Sequence, residues 1–241
     1  SAMTVPRELQ LHSTADGYRL QSRPVRELER LRTATATLPP RTFRGMADLS
    51  DDIRFASTTS EVLLEFDLGR TTARSFGVTL SNDRGEVYRL GFDRATGRFT
   101  SDRTQSGPAA FSDKFLRVHS APRAAAGDRL RLRIYFDVAS VELFADDGAT
   151  VLTDVFFPST AFTRMALHAE GGVAALTQGE VHRIGSVWAS SSMPLSQQPV
   201  VGRRTAFFLH HGQWPQRQPG FARIGVEVDI LPDRPRCRRL E

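Results

Sequence analysis

The sequence predicts an all-β chain. Its main body is expected to be a two-sheet antiparallel β-sandwich of the concanavalin or jelly-roll type, with a short N-terminal helix and an irregular C-terminal tail. Between Thr42 and Trp188, short β-rich runs alternate with turns rich in Gly, Asp and Asn. No helical periodicity interrupts these runs, and no exact internal repeat indicates a propeller or a solenoid. Two sheets that bury their apolar faces against each other account for the pattern. The predicted strands are contained in the runs VLLEFDLG, SFGVTLSN, VYRLGFD, RFTSDRT, LRLRIYF, SVELFAD, VLTDVFF and MALHAE.

The N-terminal segment is predicted to form a strand pair followed by a short helix. Residues 4–23 contain two extended runs on either side of Asp16-Gly17, a dipeptide typical of tight hairpin turns. Pro24 is expected to occupy the first helical position, immediately before the run VRELERLR. Apolar residues recur at every third position of this run over two turns. Residues 33–40 show no periodicity and end in two prolines, so we interpret them as a connector.

These patterns divide the chain into three predicted parts. Residues 1–40 form a linker region, residues 41–188 form the sandwich, and residues 189–241 form a basic, Pro-rich, poorly ordered tail. The stretch 196–241 holds eight Arg against four acidic residues, so it carries most of the net charge of +5.

The composition argues against several classes of function. The single cysteine, Cys237, cannot form an internal disulfide, and no Cys/His spacing suggests zinc, so no cofactor and no metal are expected. No stretch approaches the roughly 20 apolar residues of a membrane helix. The basic residues do not form a cluster with interleaved aromatic residues, which nucleic-acid binding favours. We therefore expect neither nucleic acid nor membrane as a partner.

The stretch RIYFDVASVELFADDGATVLTD, from Arg133 to Asp154, contains two candidate site residues, Asp137 and Glu142. Tight turns at DVAS and DDG would make a three-stranded meander and would place both carboxylates near one rim. Three interpretations remain open. The two carboxylates form a catalytic pair, or they bind sugar hydroxyls together, or Asp137 bonds the backbone of its own turn while Glu142 is a solvent-facing strand residue.

A second candidate pair, Asp102 and Arg103, lies in the run SDRTQSG. The planar fork of Arg suits vicinal sugar hydroxyls or a carboxylate. The alternative is a local Asp–Arg pair at the surface, which would contribute little to stability.

The remaining polar residues do not suggest a catalytic site. No GxSxG nucleophile elbow is present. Three histidines are scattered in strand-like runs and are expected to be packed or exposed, namely His119, His168 and His182.

Several runs occur in an order that resembles the C-terminal β-sandwich module of glycoside hydrolase family 32, the levanase, inulinase and invertase family. They are MTVPREL, RPVRELERLR, VYRLGFDRATGRFTSDRTQSG, LRLRIYFDVASVELFADDGATVLTDVFFP and HRIGSVW, which together span roughly residues 3–188. The sequence departs from the family pattern at Val138 and Ala139, where Arg and Ser are usual.

The resemblance implies that catalysis lies elsewhere. Family members are retaining fructosidases, which need one carboxylate as nucleophile and a second as acid/base. Both are carried by an N-terminal five-bladed propeller in N-D-P-N-G and Glu-Cys motifs, with a further Asp in R-D-P. None of these motifs is present. The stretch Ser81–Gly85 is similar to N-D-P-N-G but has Arg84 in place of Pro-Asn, and Cys237 follows Arg236 instead of Glu. Residues 1–40 would then join the sandwich to that propeller, and the chain is expected to be inactive alone.

By this resemblance, the chain is an accessory module of a fructan- or sucrose-hydrolysing β-fructosidase. Its expected partners are the propeller and, through the parent enzyme, the carbohydrate, and the parent is expected to be secreted or periplasmic. The alternative is an autonomous module that binds terminal fructose. Related fructan-binding sandwiches use acids and Arg for this purpose, and the matching candidates here are Asp102, Arg103, Asp137 and Glu142.

Overall fold

The computed structural model describes residues 4–14, 17–53 and 59–186. The secondary structure in these residues is almost entirely β, as predicted. The strands are β1 Arg7–Thr14, β2 Gly17–Pro24, β3 Arg32–Leu38, β4 Arg41–Asp48, β5 Ser60–Asp67, β6 Ser75–Ser81, β7 Val87–Asp93, β8 Arg98–Gln105, β9 Val118–Pro122, β10 Arg129–Asp137, β11 Ser140–Ala145, β12 Thr150–Val155 and β13 Arg164–Ile184. Two short 3-10 helices, η1 Arg26–Leu31 and η2 Asp146–Gly148, complete the described elements.

Strand β13 joins the two layers of the sandwich. Its first part, Arg164–Glu170, pairs with β6, which continues through β7 and β8 to β9. Its second part, from Leu176 to Arg183, pairs with β5, which continues through β10 and β11 to β12. Strand β4 pairs with both parts of β13 across a register shift between Ala169 and Ala174. The two layers are therefore parts of one hydrogen-bonded network of 11 strands that folds back on itself.

The core between the two layers is rich in aromatic side chains. Rings contact one another from Phe66 through Phe76 and Phe92 to Phe99, with centroid separations of 4.8, 6.0 and 5.2 Å. Phe156 packs against Tyr88 at 4.8 Å and closes the core beside the end of β12. Aromatic side chains bury large apolar areas, which explains how a chain with many Phe stabilises this sandwich.

The N-terminal hairpin is confirmed, and it forms a separate two-stranded sheet. Strands β1 and β2 pair in register from Arg7 opposite Pro24 to Thr14 opposite Gly17. Of the predicted turn residues, Asp16 lies outside the described residues. The two helical turns after the hairpin are also confirmed, as the 3-10 helix η1. The position predicted for Pro24 was wrong, because it ends β2 and Val25 is the residue that precedes the helix.

The connector expected over residues 33–40 was also wrong, because β3 occupies Arg32–Leu38 and pairs with β13. The run TATATL alternates Thr with small apolar residues, and its burial alternates in the same way, ending at fully buried Leu38. A period of two is the strand pattern, and both prolines fall after the last paired residue. The tail predicted over 189–241 lies outside the described residues, as does Trp188. No helix in the described part of the chain is long and apolar enough to cross a membrane.

Candidate functional site

The first feature of the site is a buried carboxylate that ties the N-terminal segment to the sandwich. Glu142 lies on β11 and is only 5% exposed, although it points to the outer face of its sheet. Its Oε1 accepts a hydrogen bond from the backbone N–H of Val5 at 2.6 Å, and its Oε2 pairs with the guanidinium of Arg7. Arg7 also donates to Thr153 Oγ1 at 2.9 Å and lies 5.0 Å from the ring centroid of Phe144. Charge-assisted bonds of this kind are stronger than neutral ones, so the segment before β1 is held firmly.

The turn η2 forms a second attachment point for the hairpin. Asp146 and Asp147 both adopt positive φ, 47° and 60°, a conformation that is costly for residues with a Cβ. Arg123 Nε donates to Asp146 Oδ2 at 2.7 Å and stabilises this conformation. The strained turn presents the carbonyl of Asp147 to Arg23 Nε at 2.9 Å.

The residue after these two allows the backbones of turn and hairpin to touch. Gly148 has φ of 86°, and a Cβ at this position would lie 2.1 Å from the carbonyl oxygen of Ser22 on β2. Only glycine therefore permits this approach without displacing the hairpin. We call the contacts of Val5, Arg7, Ser22 and Arg23 with Glu142, Asp147 and Gly148 the hairpin clasp.

A buried ionic cluster anchors the segment after the hairpin. Glu61 on β5 is fully buried and accepts hydrogen bonds from Tyr135 Oη at 2.9 Å and from Arg32 Nε at 2.7 Å. Burial, followed by the negative charge of Glu61, raises the pKa of Tyr135 above its ordinary value, so this phenol remains protonated. Arg133 Nε lies 3.5 Å from Glu61 Oε1. The cluster joins η1 and β3 to the outer face of the sandwich.

Between the clasp and this cluster lies a groove with a volume of about 620 Å³. Its charged side chains pair across the groove: Arg131 donates to Glu65 at 3.1 Å and to Asp147 at 2.8 Å. Because these carboxylates are paired with a guanidinium group, the groove presents ionic and polar groups to a ligand. Its lining consists of Glu8, Arg23, Pro24, Arg26, Glu29, Leu63, Leu64, Glu65, Arg131, Leu132, Arg133, Phe144, Asp147, Gln178 and Glu180.

The predicted meander of β10, β11 and β12 is confirmed, with turns at the positions expected. Asp137 is exposed, and its Oδ1 accepts a hydrogen bond from the N–H of Val138 at 2.7 Å. It thus bonds the backbone of its own turn, as one interpretation predicted. The solvent-facing position predicted for Glu142 in that same interpretation was wrong, because Val5 and Arg7 cover this carboxylate.

Asp102 and Arg103 point to opposite sides of β8. Asp102 Oδ1 accepts hydrogen bonds from the backbone N–H and the hydroxyl of Thr104, at 2.9 and 2.6 Å. Arg103 is buried and reaches Asp154 Oδ1 on β12 at 2.5 Å. The local surface pair between Asp102 and Arg103 was therefore a wrong prediction, since the ion pair of Arg103 joins the two layers of the sandwich.

The four sequence-predicted residues do not form one cluster. Glu142 is engaged by the clasp and Arg103 by the core, while Asp102 and Asp137 bond their local backbones. Sugar binding through these four side chains stays a prediction.

Sequence reasoning missed Asp154, which organises a buried polar network. Its Oδ2 accepts a hydrogen bond from Ser101 Oγ at 2.6 Å and lies 3.1 Å from His119 Nδ1. Because Ser101 gives its proton to Asp154, Tyr88 Oη donates to Ser101 at 2.8 Å. A signal was present, since Asp154 stands alone in the apolar run VLTDVFF at a position that alternation directs inward. The expectation that the histidines are packed or exposed agrees with buried His168 and His182 and half-buried His119. Within the described ranges, no group of three or more His, Cys, Asp or Glu side chains could hold a metal ion.

The fold and the hairpin clasp define a β-sandwich module whose N-terminal strands, β1 and β2, form a sheet separate from the sandwich. The family model "Glycosyl hydrolases family 32 C terminal" matches residues 27–183. The chain therefore belongs to glycosyl hydrolase family 32, and the matched region is the C-terminal domain of that family.

Similar proteins extend far beyond this region. A levanase from Bacillus sp. (strain L7) is 34% identical over 188 residues, which are 77% of this chain and 20% of that protein. The crystal structure of an exo-inulinase from Aspergillus awamori matches with a TM-score of 0.67 and 24% identity, covering 77% of this chain and 36% of that one. Fructan 1-exohydrolase IIa from Cichorium intybus matches with a TM-score of 0.60 and 15% identity over 74% of this chain and 40% of that one. The structural matches show the same fold, and the chain spans well under half of each relative.

Proposed function

We propose that this chain serves as the accessory β-sandwich of a β-fructosidase that hydrolyses fructan or sucrose, and that it supports a catalytic module which precedes it. The carrying observation is the hairpin clasp, in which a buried carboxylate of the sandwich holds two strands that form a separate sheet. The partial coverage of levanase and exo-inulinase relatives supports the same proposal.

The hairpin carries an apolar face that the sandwich leaves uncovered. Leu9, Leu11, Tyr18 and Leu20 are 63%, 66%, 74% and 57% exposed, and the strand register places all four on one side. A two-stranded hairpin is marginally stable by itself, and exposed apolar patches mark interaction sites. This face is therefore where the catalytic module would pack. Val5 and Leu28, which flank the hairpin, are half-buried.

The clasp gives the sandwich a defined role at that interface. Contacts on both strands at the open end of the hairpin, through Glu142 and Gly148, hold the base of the hairpin that carries the apolar face. Because the face is held in advance, less ordering free energy is lost when the catalytic module binds. The sandwich thus supports the catalytic module by pre-organising strands that the module contacts.

The first test concerns activity of the chain itself. The purified 241-residue chain, incubated with levan, inulin or sucrose, should release no fructose. Release of fructose by this chain would contradict the proposal, because catalysis would then not require a preceding module.

A second test concerns the interface. A separately produced catalytic module of a family 32 levanase should co-elute with this chain and unfold at a higher temperature in its presence. Leu11→Asn should abolish co-elution, because it removes an apolar contact from the centre of the hairpin face. Met46→Asn is the matched control, since Met46 is 56% exposed but lies on β4. Equal loss of co-elution in both variants would show that the hairpin face is not the docking surface.

A further inference from the structure

A second exposed apolar surface lies on two loops of the sandwich and consists of aromatic rings alone. Phe111 and Phe157 are 65% and 45% exposed, and Phe115 lies partly buried between them. Phe115 and Phe157 stack with an interplanar angle of 17° at 5.3 Å, while Phe111 meets Phe115 edge-on at 4.8 Å. We call these three residues the Phe patch. Monomeric proteins seldom expose clustered rings without an interaction that uses them.

Contacts with Arg103 and Gly107 anchor both loops of the Phe patch. Arg103 Nε donates to the carbonyl of Phe115 at 2.7 Å, and its guanidinium lies 4.0 Å from the centroid of that ring. Gly107 packs directly on the loop that carries Phe157, where a Cβ would lie 2.2 Å from the Phe157 carbonyl oxygen. The same Arg103 is held by Asp154 in the core. These contacts hold Phe115 and the backbone of Phe157 in place, and partial ordering of this kind lowers the cost of binding.

The chemistry of the Phe patch differs from that of the hairpin face. Three of the four exposed hairpin residues are leucines, which suit close packing against another protein module. An aromatic face instead carries negative charge density and attracts the polarised C–H groups of a sugar ring. Two exposed charged residues, Asp113 and Lys114, lie on the loop that carries Phe111 and Phe115. They can form hydrogen bonds with hydroxyl groups at the edge of a sugar ring.

We propose that the Phe patch is a binding surface for a β-fructan chain, with fructosyl rings packed on Phe111 and Phe157. This inference rests on the proposed function, because relatives named levanase and exo-inulinase make a polymeric fructan the available sugar. A polymer also compensates for a weak contact. A chain held on the Phe patch is kept at high local concentration near the catalytic module.

Affinity electrophoresis of the intact chain in gels that contain levan, inulin or dextran tests this inference. Levan or inulin should retard the wild-type chain, and dextran, a glucose polymer, should not. Phe157→Ala and Phe111→Ala should each weaken fructan binding by about tenfold, the usual scale of a lost ring-stacking contact. Phe111 is largely exposed and Phe157 is nearly half exposed, and thermal unfolding would confirm that the variants stay folded.

Two further variants separate the possible explanations. Phe157→Leu keeps an apolar side chain but removes the ring, so it should bind fructan as weakly as Phe157→Ala if stacking is responsible. Leu11→Asn, which tests the proposed function at the hairpin, should leave retardation unchanged, so the two proposals fail separately. The inference is overturned if neither fructan retards the wild-type chain, if dextran retards it equally, or if retardation survives in both alanine variants.

Discussion

Glu142 and Asp154 lie on neighbouring strands of one meander and have very different structural roles. Each is 5% exposed, and each forms an ion pair with an Arg from a distant part of the chain. They stand one step apart in the register, because Glu142 is opposite Thr153 and Val141 is opposite Asp154. That single step turns one carboxylate outward to the hairpin and the other inward to the core.

The comparison shows that two ion pairs of similar burial stabilise different parts of the molecule. Asp154 joins the two layers through Arg103 and Ser101, so its loss affects the whole sandwich. Glu142 joins the sandwich to a two-stranded hairpin, so its loss affects that attachment alone. Although the two carboxylates are equally buried, we expect loss of Asp154 to destabilise the whole sandwich and loss of Glu142 to loosen only the hairpin.

The largest expected effect is that of Asp154→Asn. The variant leaves the Arg103 charge buried without its partner, which typically costs 3–5 kcal/mol, or roughly 10 °C in unfolding temperature. Thermal and denaturant unfolding measure the loss. Asp102→Asn is the matched control on the outer side of β8 and should change stability by less than about 0.5 kcal/mol. Similar destabilisation by both variants would remove the special role assigned to the core network.

Unlike Glu142 and Asp154, His168 is a buried ionisable side chain that faces a like charge rather than an opposite one. Burial, together with the positive charge of Arg89, lowers the pKa of His168 from 6.5 to about 4, so the folded protein keeps this imidazole neutral. The unfolded chain binds the proton below pH 6.5, so the free energy of unfolding should fall as the pH drops from 6.5 towards 4. This one residue contributes on the order of 3 kcal/mol to that fall.

Stability measured by denaturant unfolding between pH 7 and 4 tests this contribution. His168→Gln should keep a hydrogen bond to Thr79 and should flatten the pH dependence. His12→Gln, at an exposed position on the hairpin, is the control and should leave the slope unchanged. An equally steep slope in His168→Gln would assign the acid sensitivity to other groups.

A local effect is expected for Gly148→Ala. The added Cβ would lie 2.1 Å from the Ser22 carbonyl oxygen, so the end of β2 must move away from η2. Amide hydrogen exchange should accelerate in β1 and β2, while the strands of the sandwich keep their protection. Gly85→Ala is the control, because this glycine also has positive φ, 76°, but faces open space. Uniform loss of protection in both layers would show that the hairpin and the sandwich unfold as one unit.

The sequence predicted the fold well because its strongest signals are local. Alternation and turn residues located the hairpin, the meander, strands β5 to β8 and the first part of β13, but not β9. Strand β3 was missed because Thr and Ala give a weak apolar contrast, so only its pairing with β13 reveals it. The double role of β13 also required the structure, because the sequence pattern indicated a strand only at MALHAE, whereas β13 continues to Ile184.

The candidate site was less predictable, because its interactions connect residues far apart in the chain. Glu142 bonds Val5, and Arg103 bonds Asp154, across 137 and 51 positions. Alternation could not be counted through the DVAS turn, so the faces of Asp137 and Glu142 stayed open. The Phe patch was hidden for the same reason, because Phe157 and Phe111 meet only where two loops converge.

The smallest expected effect is that of Asp137→Ala. This exposed side chain bonds only the N–H of Val138 among its described contacts, so stability should change by about 0.5 kcal/mol or less. The variant nevertheless decides between two binding assignments. If the Phe patch binds fructan, Asp137→Ala should retain the retardation in levan and inulin gels that Phe157→Ala loses. If Asp137→Ala abolishes retardation while Phe157→Ala keeps it, the sugar site lies at the rim of β10 and β11, and the acidic residues singled out by the sequence regain that role.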